Sequence, residues 1–239
     1  MKVRAGWLSG AAVIATVALL GFTRFSVTAP PVLAQSNGQS EVQIGFAIAP
    51  VTLNMKGKNP ALVGKGSYLV NAKGDCNGCH NSPDLGGEFA PGHNPFFGQP
   101  KQINANGYLG GGEQFGPFPG LGPGGAGQLF VYPRNLTPDI SGRPIGGATF
   151  QEFQAIMRTG HDFDNAHPAC PTLGVEGCFA SPFPPAPFDP TLLQVMPWPV
   201  FGNMSDDDLR AIYEYLSAIP CISHSQTPNL PAILYQTCP

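Results

Sequence analysis

Charge is what this sequence has least of. Lys, Arg, Asp and Glu together make up 11% of its 239 residues, and the cations form no stripe or cluster. That excludes a nucleic-acid partner, which needs concentrated positive charge. Long regular helices are also poorly provided for. The chain has 31 Gly and 27 Pro, a mixture that fits a compact domain with long ordered loops and not a regular helical bundle. No second Cys/His pair stands at zinc-finger spacing from the first, which argues against a structural zinc site.

What the chain does have is Cys76-Asn77-Gly78-Cys79-His80, the C-x-x-C-H pattern of covalent c-type haem attachment. Two thiols that add across the two vinyl groups of one porphyrin must sit one helical turn apart. A histidine directly after the second thiol comes under the iron as proximal ligand. The predicted cofactor is therefore one haem c, held by Cys76, Cys79 and His80.

Residues 1–34 read as a secretory signal peptide. Lys2 and Arg4 precede an apolar run from Trp7 to Phe22, and Val32-Leu33-Ala34 offers small residues to a signal peptidase. The other reading is an uncleaved membrane anchor, although the run is slightly short for a span and Arg24 closes it. Loss of Lys2, Arg4 and Arg24 would leave 9 basic against 15 acidic residues, net −6. Export places the protein in the periplasm, tethered to the inner membrane only if the leader stays. Disulfides persist in that compartment. Six cysteines minus two for haem leave Cys170, Cys178, Cys221 and Cys238, which allow three pairings. Proximity in sequence favours Cys170–Cys178 and Cys221–Cys238.

Residues 35–59 read as an N-terminal extension. Within it Val42, Ile44, Phe46 and Ile48 alternate, predicting a short strand between Glu41 and Asn54. Pro60 to Lys73 is the helix that delivers the haem motif. Gly66 inside it is expected at a close helix crossing, since glycine there costs about 1 kcal/mol against alanine. Residues 81–148 carry no convincing helix. Phe89, Phe96, Phe97, Phe115, Phe118 and Phe130 are spread among turn formers, and several are expected to touch haem. A carbonyl of these turns should accept the His80 Nδ1 proton and so present Nε2 to iron. Asn135-Leu136-Thr137-Pro138-Asp139 reads as a turn whose side chains bond a haem propionate or their own backbone.

Thr149 to Arg158 is a helix with a Thr149/Glu152 capping box and Gly160 as its stop. His161, Asp162, Asp164 and His167 could bind a metal, but they lack a site pattern, and surface-loop chemistry is the commoner use. Ser205 and Asp208 are expected to form another capping box at the start of a second helix, with Leu209, Ile212, Tyr213 and Leu216 on one face. Pro220 ends it. Residues 60–220 thus form the haem domain, and 221–239 a C-terminal extension stapled by disulfide.

A His-bound iron needs its sixth position explained. Met157 sits on a helix face destined for the core, and Met204 stands before the N-cap. Met196 lies in a loop stiffened by Pro197 and Pro199, which can aim a thioether at iron. Met196 is the leading candidate, with Met204, Met55, Met157 and the other histidines left open. His/Met ligation fills the coordination sphere and favours one-electron transfer over catalysis at iron, so the chain is read as an electron carrier and not an enzyme. A haem peroxidase or a gas or redox sensor with a labile distal ligand is the alternative.

Over roughly Pro60 to Pro220 the chain resembles class I bacterial periplasmic cytochromes c. The resemblance is carried by the Tyr68-Leu69 helix into C-N-G-C-H, N-L-T-P-D, T-F-Q-E-F ending M-R-T-G, and M-P-W-P-V-F followed by M-S-D-D-D-L-R-A-I-Y-E-Y-L. It is most similar to the haem domains of cytochrome subunits that serve periplasmic or membrane-bound dehydrogenases, such as the alcohol dehydrogenase cytochrome subunit. That resemblance implies an all-α, cytochrome c-like helical domain wrapped around one haem, with Cys76 and Cys79 in thioethers, His80 proximal and Met196 distal. It also implies that the first and last helices of the domain cross near the haem. The implied partners are a periplasmic or membrane dehydrogenase and an oxidase or another cytochrome. Those subunits carry three C-x-x-C-H motifs and this chain carries one. The Gly/Pro-rich insertion before Asn135 and the four extra cysteines also lie outside the pattern.

Overall fold

The computed structural model describes residues 40–119, 128–162, 191–224 and 234–239. The leader or anchor read at 1–34 lies outside the described residues, as do Asp164, His167 and the proposed Cys170–Cys178 bridge.

The strand expected after Glu41 is a helix, α1 (Glu41–Ile48). Ser40 and Gln43 form a reciprocal capping box at its start. The alternation of Val42, Ile44, Phe46 and Ile48 hid a second periodicity. Val42 and Phe46 stand four apart, on one helical face, and both abut Gly64: a Cβ there would lie 2.6 Å from Val42 Cγ1 and 2.8 Å from Phe46 Cε2. Gly45 faces the same crossing, and a Cβ on it would collide with the Gly64 carbonyl. Ser67 Oγ seals the contact by donating to Gly45 O at 2.7 Å.

The partner helix α2 (Pro60–Tyr68) starts with Asn59 as N-cap and Pro60 at its first position, where a missing N–H costs nothing. It continues as a π-helical turn over Leu69–Lys73. The motif follows as a short helix, α3 (Cys76–His80), entered through Asp75 at φ 45°. A loop region then leads to a two-stranded antiparallel ribbon, β1 (Phe115–Pro119) with β2 (Gln128–Val131). This ribbon is an addition to the helical architecture expected from sequence. Next come a single turn, α4 (Pro144–Gly147), and α5 (Phe150–Thr159), which has the Thr149/Glu152 capping box and Gly160 at φ 73°. One helical turn, α6 (Trp198–Phe201), precedes α7 (Asp206–Leu216), where Ser205 Oγ accepts from the Asp208 N–H; the expected capping box is only half formed, since the Asp208 carboxylate meets Lys65 Nζ instead of the Ser205 N–H.

The core forms where α2 crosses α7. A Cβ on Gly66 would collide with the Ala211 carbonyl and reach 2.7 Å from the Tyr215 Cβ, so the close crossing expected at Gly66 is present. Leu209, Ala211, Ile212, Tyr215 and Leu216 are buried there with Val63, Leu69 and Val70. The two buried phenols are hydrogen-bonded: Tyr108 Oη lies 2.8 Å from Tyr215 Oη and 2.5 Å from Asn71 Oδ1. Cys221 and Cys238 are disulfide-bonded, as sequence proximity predicted. Among the described residues no helix is long and apolar enough to cross a membrane.

Candidate functional site

The site is built outward from α3. Gly78 packs against the Asp75 side chain, where a Cβ would sit 2.8 Å from Oδ2. Asn77 is buried, and its Oδ1 accepts the Leu109 N–H at 2.9 Å. Asn77 therefore ties the helix to the loop that follows it. His80 O accepts the Gly111 N–H at 2.7 Å. The His80 Nδ1–H donates to Arg134 O at 2.9 Å; a carbonyl can only accept, so this nitrogen carries the proton and Nε2 keeps its lone pair. Burial pushes the imidazole down to about 4, so it is neutral near pH 7.

Cys76, Cys79 and His80 open into one cavity with an empty volume of about 1290 Å³, its mouth included. Its walls are almost wholly apolar and come from the π-helical turn after α2, from the ribbon and from α5, α6 and α7, among them Leu69, Val70, Phe153, Ile212 and Leu216. Enclosure in these walls pushes the Cys76 thiol up to about 12. Burial raises Cys79 too, aided by the carboxylates of Asp75, Glu113 and Glu88. Both cysteines are free thiols.

Three methionines line the same cavity: Met157, Met196 and Met204. Met157 is 5% exposed, among the buried residues of α5. Met204 is tied by its N–H to Phe201 O just before the N-cap. Met196 lies in the loop that enters α6. That loop is less extended than its prolines suggest, since the Trp198 N–H returns to Met196 O at 2.8 Å. Trp198 lies over Gly160, where a Cβ would come within 2.6 Å of the indole Nε1. The helix-ending glycine therefore also seats the methionine loop. Met55 packs against the core but does not line the cavity. His224 does not line it either: its Nδ1 is 2.9 Å from Asp84 Oδ2 and its Nε2 is 2.8 Å from Gly110 O.

The aromatic wrap expected around the cofactor is corrected. Of the six phenylalanines, Phe115 lines the cavity, while Phe96 and Phe97 are 83% and 78% exposed. The Phe118 and Phe130 side chains lie outside the described residues. Phe153 and Phe201, on helices, take the wall positions instead. Asn135 bonds its own turn, its Oδ1 accepting from Thr137 N (3.0 Å) and Oγ1 (2.7 Å), and its Nδ2 donates to Ile222 O and Leu234 O.

One cavity group had no warning in the sequence. Arg134 Nη1 donates to both carboxylate oxygens of Asp162, at 2.9 and 2.8 Å, and Nη2 reaches Ile145 O at 3.3 Å. Asp162, read as a surface-loop acid, is 1% exposed. Both residues line the cavity. Their 28-residue separation leaves no local pattern to find.

No family model matches the chain, and no curated protein matches it.

Proposed function

We propose that this chain is a mono-haem c-type cytochrome with a cytochrome c-like fold, which carries single electrons and does not act as an enzyme. The observation that carries the reading is one apolar cavity into which two thiols a helical turn apart, a neutral imidazole with a fixed tautomer and a methionine loop all open. These residues fit the group. Cys76 and Cys79 would hold haem c in thioether bonds, His80 would ligate iron through Nε2, and Met196 would close the opposite side. The haem would supply a one-electron ferric/ferrous couple. The protein's part is to orient His80 through Arg134 O, to exclude water with the apolar walls, and to hold the Arg134 cation against Asp162. The reading includes export to the periplasm and exchange with a dehydrogenase on one side and an oxidase or another cytochrome on the other.

Absorption and resonance Raman spectra of the matured wild type, Met196→Ala and Met204→Ala test it. The sulfur–iron charge-transfer band should vanish in Met196→Ala and persist in Met204→Ala. The reverse pattern transfers the distal role to Met204. A colourless wild type, or a reduced form that binds carbon monoxide at once, overturns the electron-carrier reading.

A further inference from the structure

The loop between α3 and β1 holds two large apolar side chains out in water. Phe96 and Phe97 occupy a single 3-10 turn, Pro95–Phe97, and are the two most exposed large hydrophobic side chains among the described residues. Leaving both rings wet costs free energy that the isolated chain does not recover. The turn is firmly built all the same. The Phe96 N–H donates to Asn94 Oδ1 at 2.9 Å and the Asn94 N–H to Gln99 Oε1 at 2.8 Å. Ala90 N–H reaches Gln102 O at 3.0 Å, and Gln102 N–H reaches His93 O at 3.3 Å. Phe89 meets Phe96 edge-on at 6.1 Å and supports it from below.

A surface hollow runs from these rings to Gly78 and Asn81 and is also walled by Glu88 and Glu113. It therefore backs onto the helix that carries Cys76, Cys79 and His80. Two carboxylates, Glu88 and Glu113, and no Lys or Arg stand among the described residues of its walls, and Lys101 is the cation that acts on Glu88. The face thus combines rigid aromatic anchors with an excess of negative charge. Aromatic anchors in pockets supply much of the affinity of protein interfaces, and complementary charge sets the encounter rate.

We propose that Phe96 and Phe97 anchor a docking surface for a redox protein whose own contact face is basic. This rests on the electron-carrier reading above. The carboxylates steer the partner and the two rings enter apolar pockets on it, which places the partner beside the Cys79 edge of the cavity.

The test uses the full matured protein and, as probe, a purified mono-haem cytochrome c with a strongly positive surface. Calorimetric titration reads affinity, stopped flow reads exchange, and reduction by ascorbate reads the haem alone. The Phe96→Ser/Phe97→Ser variant, altered only at exposed positions, should weaken binding at least ten-fold and leave ascorbate reduction unchanged. Glu88→Lys/Glu113→Lys should slow association about ten-fold at low salt and remove most of its ionic-strength dependence. If neither ascorbate nor dithionite reduces the wild type, the electron-carrier reading fails and the docking surface fails with it. If reduction is normal and the serine variant binds the probe as tightly as wild type, the docking surface alone fails. A wild-type dimer in sedimentation that the serine variant dissolves also overturns it, assigning the face to a second copy of the chain.

Discussion

The helical half of the molecule and its loop half are held together by opposite means. In the first, α1, α2 and α7 meet at glycines: Gly45 against Gly64, and Gly66 against the Ala211 carbonyl. Specificity there comes from atoms left out. In the second, buried polar side chains bridge backbone that no helix or sheet satisfies. Asn77 holds Leu109, Asn104 donates to Leu85 O and Gly87 O, and Asn135 ties Ile222 and Leu234. Specificity there comes from polar atoms put in. The helical half should therefore suffer most from added atoms and the loop half from removed ones.

The largest effect is expected in the loop half. Asp162→Ala strips a carboxylate from a guanidinium whose side chain is 15% exposed, and breaking a buried pair from one side costs about 3–5 kcal/mol. Urea unfolding measures this, and Arg134→Met with Asp162→Leu should recover most of the loss. In the helical half, Gly66→Val drives a side chain into the Ala211 carbonyl. It should cost about 3 kcal/mol by overpacking, with α2 and α7 pushed apart. Cys221→Ser/Cys238→Ser opens a link across 17 residues and should cost about 3 kcal/mol, read as a fall in thermal midpoint.

The smallest effect lies at the Lys65–Asp208 pair, 2.5 Å apart across α2 and α7. Hydrogen bonding from Lys65 holds the Asp208 carboxyl below its ordinary value of 3.8. The carboxyl binds its proton less readily folded than unfolded. The pair's contribution is thus complete above about pH 4 and is lost as pH falls through the lowered folded value. Both side chains are about 30% exposed, so screening limits the effect to about 0.2–1 kcal/mol. Lys65→Met should flatten this acid limb in a pH series of unfolding curves.

The same division explains what the sequence disclosed. The caps at Thr149 and Ser205 and the α7 face at Leu209, Ile212 and Leu216 are local patterns, and the structure has them at those positions. The motif and the disulfide partners of the tail were legible for the same reason. The need for a carbonyl at His80 follows from chemistry, but the identity of that acceptor, Arg134 O, 54 residues away, does not. α1 was misread because Gly45 and Ala47 blurred its period, and because the contact with Gly64 that decides the matter is tertiary. Which phenylalanines turn inward is not legible from hydrophobicity, because a turn at Asn94–Gln99 is rigid enough to hold two rings in solvent.

The contact that orients His80 ends on a main-chain oxygen. Every one of the twenty amino acids carries that oxygen, so no substitution at position 134 can delete it; only a change in the path of the loop can. The imidazole's aim is thus insensitive to side-chain identity at the very residue that sets it. The guanidinium on the same residue answers to Asp162 and Ile145 O instead, so one residue sets the imidazole's aim with its main chain and holds a buried ion pair with its side chain.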